Sequence, residues 1–388
     1  MSGVFHAFVL TDPHVGNRLP HAVAGPDGVT DRLIDQLEAL AWAFDYGAQE
    51  KLPVVCLGDL CDDHLVDTIT LDLLAGLLRS RVPSRGFYVV PGNHDAHDQT
   101  NRFFSPMAMS RLTEAVQVLD DLHGIDTQQE LPGREFIAAL PFCAPSVARE
   151  FFAEQRDPKK LLLGHLEVNG FGHGGAWTCT GGLDENDIKG WGGVLSGHFH
   201  ARQEFKQVRG MYIGALTQLK FDDMRKPQGG WRITWDGKDL STEFVHYEKA
   251  PTFLRHDLNA AELTKLIQGA DDNGTDPFER ATYLKLVVTG TDEELVAVDW
   301  EWVRKALKKG GARQVIFDHR PISTSEKRRL DVDVGAPLED LLAAYVNHPS
   351  VVTEGFDKDI LLKVGVEALR YADETRRRKP VTTDGGGQ

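Results

Sequence analysis

The sequence predicts an α/β fold: a sheet that gathers its chemistry at one edge, then a smaller α/β unit and a helical carboxy-terminal segment. Three observations carry this. Five short apolar runs each lead into a block of metal-capable side chains; amphipathic helical segments separate the early runs; and around Tyr247 to Pro251 the ligand blocks give way to a short alternation of helix and strand. Ligands at the carboxyl ends of successive strands converge on one side of a sheet, where open α/β folds place their sites.

In chain order, Val4 to Leu10 reads as a buried strand and leads into Asp12-Pro13-His14. Thr30 starts a helix in which Leu33, Ile34, Leu37, Leu40, Ala41 and Phe44 recur at helical spacing, a face suited to packing rather than chemistry. Pro53 to Leu57 is the second strand, ending in Gly58-Asp59, and Leu71 to Leu78 a second helix. Phe87 to Val90 leads into Gly92-Asn93-His94-Asp95, after which Ala108 to Leu119 reads as helix. Leu161 to Leu163 precedes Gly164-His165, and Val194-Leu195 precedes Gly197-His198-Phe199-His200. Between these last blocks the Gly-rich stretch Asn169 to Gly190, with Trp177 inside it and Trp191 just beyond, is either a substrate-facing flap or irregular packing. His173 there reads as a surface histidine before it reads as an accessory group.

These elements give a catalytic domain over residues 1–250. Residues 251–335 form a second unit, with helix at 260–268, strand at 283–289, helix at 300–309 and strand at 313–318. Within 336–379, residues 338–346 and 357–373 read as helices, and the Gly-rich end, 380–388, is expected to be disordered. There is no internal repeat.

Each block alone has an ordinary reading. Asp-x-His after a strand is usually a turn, Gly-Asp ends many strands, and Gly92 to Asp95 makes a plausible turn as well. Five such blocks in this order change the balance. Carboxylate and amide oxygens combined with imidazoles suit divalent metals such as manganese, iron or zinc, whereas magnesium alone would want fewer histidines. Two ions roughly 3.5 to 4 Å apart need a bridging carboxylate, and Asp59 is the candidate. Asp12, His14 and His200 are placed on one side, Asn93, His165 and His198 on the other. His94, next to a ligand, is read as the imidazole that contacts the scissile phosphate or protonates the leaving oxygen. Asp62 or Asp95 would orient it.

These blocks resemble those of the calcineurin-like metallophosphoesterases over roughly residues 1–250. Within that superfamily the chain looks most like the SbcD-type double-strand-break repair nucleases, including phage-encoded versions. Thr11-Asp12-Pro13-His14-Val15-Gly16 is similar to that family's opening block, and Gly58-Asp59-Leu60-Cys61-Asp62 to its Gly-Asp-Leu-Phe-Asp block, with Cys61 in place of the aromatic. Tyr212 to Leu219 resembles the strand and turn after the last histidine pair, although Ala215 and Leu216 depart from the usual Gly-Ser-Pro. The resemblance implies a four-layer α/β/β/α sandwich with a smaller α/β capping domain over 251–335. It implies the ligand set Asp12, His14, Asp59, Asn93, His165, His198 and His200, with His94 catalytic. It further implies two divalent ions, with manganese as the expected metal, hydrolysis of DNA phosphodiesters, an SbcC-type coiled-coil ATPase as partner for the carboxy-terminal helices, and a homodimer within that complex.

Composition bounds the alternatives. With 388 residues and 41% hydrophobic content the chain can bury more than one domain's core. No apolar stretch approaches the ~20 residues of a membrane span, and the first residues lack a signal peptide's pattern, so no membrane association and a cytoplasmic location are expected. Cys56, Cys61, Cys143 and Cys179 form no paired motif and read as reduced packing residues.

The net charge of −15 is the strongest argument against a nucleic-acid enzyme. Residues 1–250 carry 23 basic and 34 acidic side chains, residues 251–388 carry 20 and 24. Two bound divalent ions would add about four positive charges where phosphate must sit. Basic clusters at 304–313, 327–329 and 376–379 supply further positive charge, unless they are simply solvated faces. A small-substrate phosphodiesterase or phosphoprotein phosphatase of the same superfamily is the main alternative, although neither needs a cap and a long tail. A non-catalytic scaffold that uses its metals structurally would not need an open position for water.

Overall fold

The computed structural model describes residues 4–97, 104–125, 130–172, 178–223, 227–265, 282–322, 337–347 and 357–377. Strand β1 (Phe5–Leu10) serves two cores at once. Side-chain alternation sends Phe8 and Leu10 toward helix α1 (Asp31–Glu50), and Phe5, Ala7 and Val9 toward a second sheet. Thr30 caps α1, its hydroxyl accepting from the Leu33 N–H, and Leu33, Leu40, Ala43 and Phe44 pack down onto β1 and β2 (Val54–Cys56).

Helix α2 (Thr68–Arg81), capped by Asp67, leads into β3 (Phe87–Val89). Helix α3 (Ser105–Leu112) and strand β4 (Val116–Val118) share the segment expected to be a single helix over 108–119. The helix stops where Thr113 turns extended, and Val116 and Val118 pair in parallel with β3. β-Branched residues at alternate positions fit a pleated edge better than a helix.

The second sheet is built from β5 (Ile137–Leu140), β6 (Leu161–His165), β7 (Gly193–Gly197), β8 (Gln203–Glu204) and β9 (Gly210–Tyr212), with α4 (Pro145–Gln155) after β5. Then β10 (Gly229–Trp235) and β11 (Leu240–His246), neither evident as a strand in the sequence, return to the first sheet. The first sheet runs β11-β10-β1-β2-β3-β4, with β1 to β4 parallel and β10 antiparallel to both its neighbours. The other runs β5-β6-β7-β9-β8 and is parallel except at β8.

One core lies between the sheets, with Tyr88, Leu163, Leu195, Ile233 and Trp235 in it; the Trp235 indole N–H donates to the Lys159 carbonyl at 2.9 Å. Phe151 and Phe152 of α4 form another on the far face of the second sheet, joined by Cys179, Leu183, Ile188 and Trp191. The described part of the 169–190 stretch is therefore packed structure, while His173 and Trp177 lie outside the described residues. All four cysteines are free, and Cys56, Cys61 and Cys179 are buried.

A third sheet orders β12 (Phe253–Asn259), β13 (Tyr283–Gly290) and β14 (Gln314–Pro321), with α5 (Trp300–Lys309) between β13 and β14. Strand β12 pairs in parallel with β13 and was not visible in the sequence pattern. Residues 260–265 are helical, and the rest of the helix expected to 268 lies outside the described residues. The chain forms two compact units, one of residues 1–289 and 296–320, the other of 290–295 and 321–388. In the second, α6 (Leu338–Asn347) and α7 (Lys358–Arg377) pack together, with Gly365 set against Leu342. Among the described residues no helix is long and apolar enough to cross a membrane. The basic clusters at 327–329 and 376–379 lie outside the residues whose side chains are described.

Candidate metal centre

The pairing of β1 with β2 does not stop where the strands end. The amides of Asp12, His14 and Val15 donate to the carbonyls of Gly58, Asp59 and Leu60 at 3.1, 3.0 and 2.9 Å, which zips the first two ligand loops together. Within these loops the backbone is forced into the left-handed region: φ is 51° at Asp12, 45° at His14, 51° at Asp59 and 93° at His198. Such conformations cost non-glycine residues about 1–3 kcal/mol each and persist only where surroundings impose them. Only His21 and Lys51 share this feature among the other described non-glycine residues.

The eight side chains expected at the centre come together at one edge of the two sheets. The ligand atoms of Asp12, His14 and His200 lie within 4.8 Å of one another, as do those of Asp12, Asp59 and His165. Asp59 Oδ2 is 3.6 Å from His14 Nε2 and 3.3 Å from His165 Nε2, so it stands between the two groups. Asn93 Oδ1 is 3.0 Å from His165 Nε2 and 2.9 Å from His198 Nδ1. Phe142 stacks on the His198 ring, with centroids 5.8 Å apart.

Partners outside the centre fix which nitrogen each imidazole presents. His165 Nδ1–H donates to the Leu57 carbonyl at 2.7 Å, which turns Nε2 inward. His14 Nδ1 meets the Asp62 carboxylate at 3.2 Å, and its Nε2 points to Asp12 and Asp59. His200 Nδ1 meets Asp223 Oδ2 at 3.2 Å.

His94 sits at the exposed rim, its ring 4.6 Å from that of His14, and its Nδ1 lies 2.7 Å from the Asp62 main-chain carbonyl. Its backbone N–H donates to Asp59 Oδ1 at 2.8 Å. Asp62 therefore meets His94 through its backbone, while its carboxylate serves His14. Asp95 is fully buried and accepts from the amides of Gly92, Leu60 and Cys61 and from Ser105 Oγ, which ties the 58–62 loop to the 92–95 loop.

Electrostatics and orphaned atoms test whether these residues fit metal ions. Asp12 Oδ1 and His14 Nε2 are buried, have no hydrogen-bond partner and stand 3.8 Å apart, the spacing of two donors aimed at a common third atom. Burial would push the Asp12 carboxyl up, but the His14, His165 and His200 imidazoles hold it at about 2. Asp59 is likewise held well below the usual carboxylate range, its burial outweighed by His165, His14 and His94. Burial disfavours the imidazolium of His14 and of His165, yet the facing carboxylates raise them to about 10 and about 9. Burial and the Asp59 charge raise Asp95 to about 6. The buried carboxylates thus demand positive charge, which protons supply when metal is absent and divalent ions would supply better. The donor set fits two such ions.

Three participants are not among the residues the sequence singled out as candidates. Thr11 Oγ1 donates to Asp12 Oδ2 at 2.6 Å and spans to the Leu57 carbonyl, a role its position inside the first ligand block could have suggested. Phe142 and Asp223 carry no local motif. They are found only because the chain returns them to the same edge.

A sequence model of the calcineurin-like phosphoesterase family matches residues 5–202. The chain is also similar to Exonuclease subunit 1 of Enterobacteria phage T4, with 24% identity over 288 residues, covering 69% of this chain and 81% of that protein.

Proposed function

This chain belongs to the calcineurin-like phosphoesterase family, and from that premise we propose that it is a two-metal DNA nuclease, the SbcD-type subunit of a complex that hydrolyses phosphodiester bonds at DNA ends. The observation that carries the phosphodiesterase reading is the convergence of Asp12, His14, Asp59, Asn93, His165, His198 and His200 beside the exposed His94. The nuclease reading is supported by the similarity to a phage exonuclease subunit, whose name also speaks of an assembly with other subunits.

Asp12, His14 and His200 would hold one ion and Asn93, His165 and His198 the other, with Asp59 between them. Manganese suits this mixture of imidazole and oxygen donors. Ions held there would supply positive charge for the phosphate oxygens and would activate a water. His94 faces the opening with Nδ1 engaged by the Asp62 carbonyl, so its Nε2 is the atom that reaches substrate and delivers a proton to the leaving oxygen. On this reading residues 251–335 would act as the cap beside the DNA cleft, helices α6 and α7 would dock on an SbcC-type ATPase, and a clamp formed with that partner would supply the positive charge that this chain's net −15 lacks.

The test is to strip the protein of metal, restore manganese and follow end-labelled linear duplex DNA beside bis-p-nitrophenyl phosphate. Degradation of both, lost together in His94→Ala, is expected. Hydrolysis of the small diester alone, even with the ATPase added, would point to a small-substrate phosphodiesterase instead.

A further inference from the structure

Helix α1 carries a fully buried arginine that packing alone does not explain. Arg32 is 0% exposed, and its guanidinium lies 4.9 and 5.0 Å from the ring centroids of Phe253 and Tyr283, which stack on each other at 4.6 Å. Its Nε and Nη1 have no hydrogen-bond partner, and burial pushes its pKa down. Tyr283, Asp35 and Asp31 oppose that shift, but a buried guanidinium with two unbonded nitrogens remains costly, and an aliphatic side chain would need no such compensation.

The bond it does make is informative. Arg32 Nη2 donates to the Leu219 carbonyl at 3.2 Å. The amides of Leu219 and Lys220 donate in turn to Asp223 Oδ2 at 3.1 and 3.2 Å, the oxygen that also meets His200 Nδ1. The same turn is held from the third sheet: Phe221 packs edge-on against Phe253 at 5.1 Å, and Gln218 Oε1 accepts from the Phe253 amide at 2.6 Å. Asp35, one turn further along α1, completes the link by accepting from Tyr283 and Arg313.

We propose that Arg32 is a positioning residue that sets the 219–223 turn, and through Asp223 the His200 imidazole, so that one metal site is coupled to the aromatic pair Phe253 and Tyr283 of the third sheet. Arg32 makes no hydrogen bond to a candidate ligand side chain and acts only through the turn. Partners of metal-ligating histidines typically govern affinity by 10–100-fold, and coupling of this kind is reciprocal. Metal at that site therefore tightens the contact between α1 and the third sheet. This rests on the reading that Asp12, His14 and His200 hold an ion.

The experiment is calorimetric titration of the metal-free, full-length protein with manganese alone. Arg32→Met is expected to weaken one of two ions by about 10–100-fold and spare the other. Asp223→Asn should do the same, and the double variant should be no weaker than either single one, because both act through one turn. Arg32→Lys keeps the charge but loses the planar fork; it is expected to weaken the same ion, and it decides the matter if Arg32→Met does not fold. Variants that bind both ions as the parent does, or lose both equally, overturn the proposal. A parent protein that binds no manganese would instead overturn the two-metal reading beneath it.

Discussion

His94 and Asp62 meet through an imidazole nitrogen and a main-chain carbonyl 2.7 Å apart, while the Asp62 carboxylate points to His14. One residue thus serves two histidines with different groups. His94→Ala should retain both metals and lose about 10²–10⁴ in hydrolysis of bis-p-nitrophenyl phosphate, whereas Asp59→Ala should lose metal as well. Elemental analysis beside the rate assay checks this, and equal metal loss in the two variants would sink the division of roles.

Asp62→Asn separates the two functions of that residue. The carbonyl that holds His94 survives, while His14 loses a carboxylate partner, so manganese affinity should fall by about tenfold with kcat at saturating metal little changed. A fall in kcat at full metal occupancy would mean that the carboxylate acts on His94 after all.

Glycines at the centre are there for room. A Cβ on Gly197 would overlap the Leu57 carbonyl oxygen and Thr11 Oγ1. Gly197→Ala should destabilise the protein by about 1–3 kcal/mol and displace His165 from its anchor. Gly76 in α2 meets nothing within 4 Å, and Gly76→Ala should stabilise by about 0.4–1 kcal/mol. Denaturant melts of both variants check the contrast; equal effects would refute it.

Stability of the metal-free protein should depend on pH in a stated sense. His14 and His165 are raised from 6.5 to about 10 and about 9, so their contribution is complete below pH 6.5 and is lost as pH climbs through 9 to 10. Asp12 is lowered from 3.8 to about 2, so its contribution is present above pH 3.8 and is lost as pH falls through 2. Thermal melts should peak between these limits and decline on the alkaline side. Loading metal at pH 7 should remove that decline and expel about two protons, measurable by titration in buffers of different ionisation heat. Loading without proton release would contradict the assigned states.

The convergence of the candidate ligands was legible in the sequence because each sits within a few residues of a strand end, so a local pattern marked both the strand and the side chains it carries. Strands β1, β2, β3, β6 and β7 announced themselves in that way. β4 was hidden inside an apparent helix, since Val116 and Val118 are too few to set a period. β10, β11 and β12 carry no ligand block to mark them; β10 and β11 form a short hairpin, but β10 joins the first sheet through β1 more than 200 residues earlier, and β12 pairs with β13 about 30 residues on. Asp223 and Arg32 were illegible for a related reason. Their meaning lies in a turn and a ring pair that only the folded chain brings to them.

The hydrogen-bonded zipper between residues 12–15 and 58–60 makes the ligand loops an extension of the sheet, with a consequence for motion. The amides of Asp12, His14 and Val15 should exchange with deuterium as slowly as those of β1 itself, since freeing them requires the sheet to fray. Asp12, His14 and Asp59 are then held by the sheet itself, and any motion of larger amplitude must be carried by parts of the chain outside this zipper.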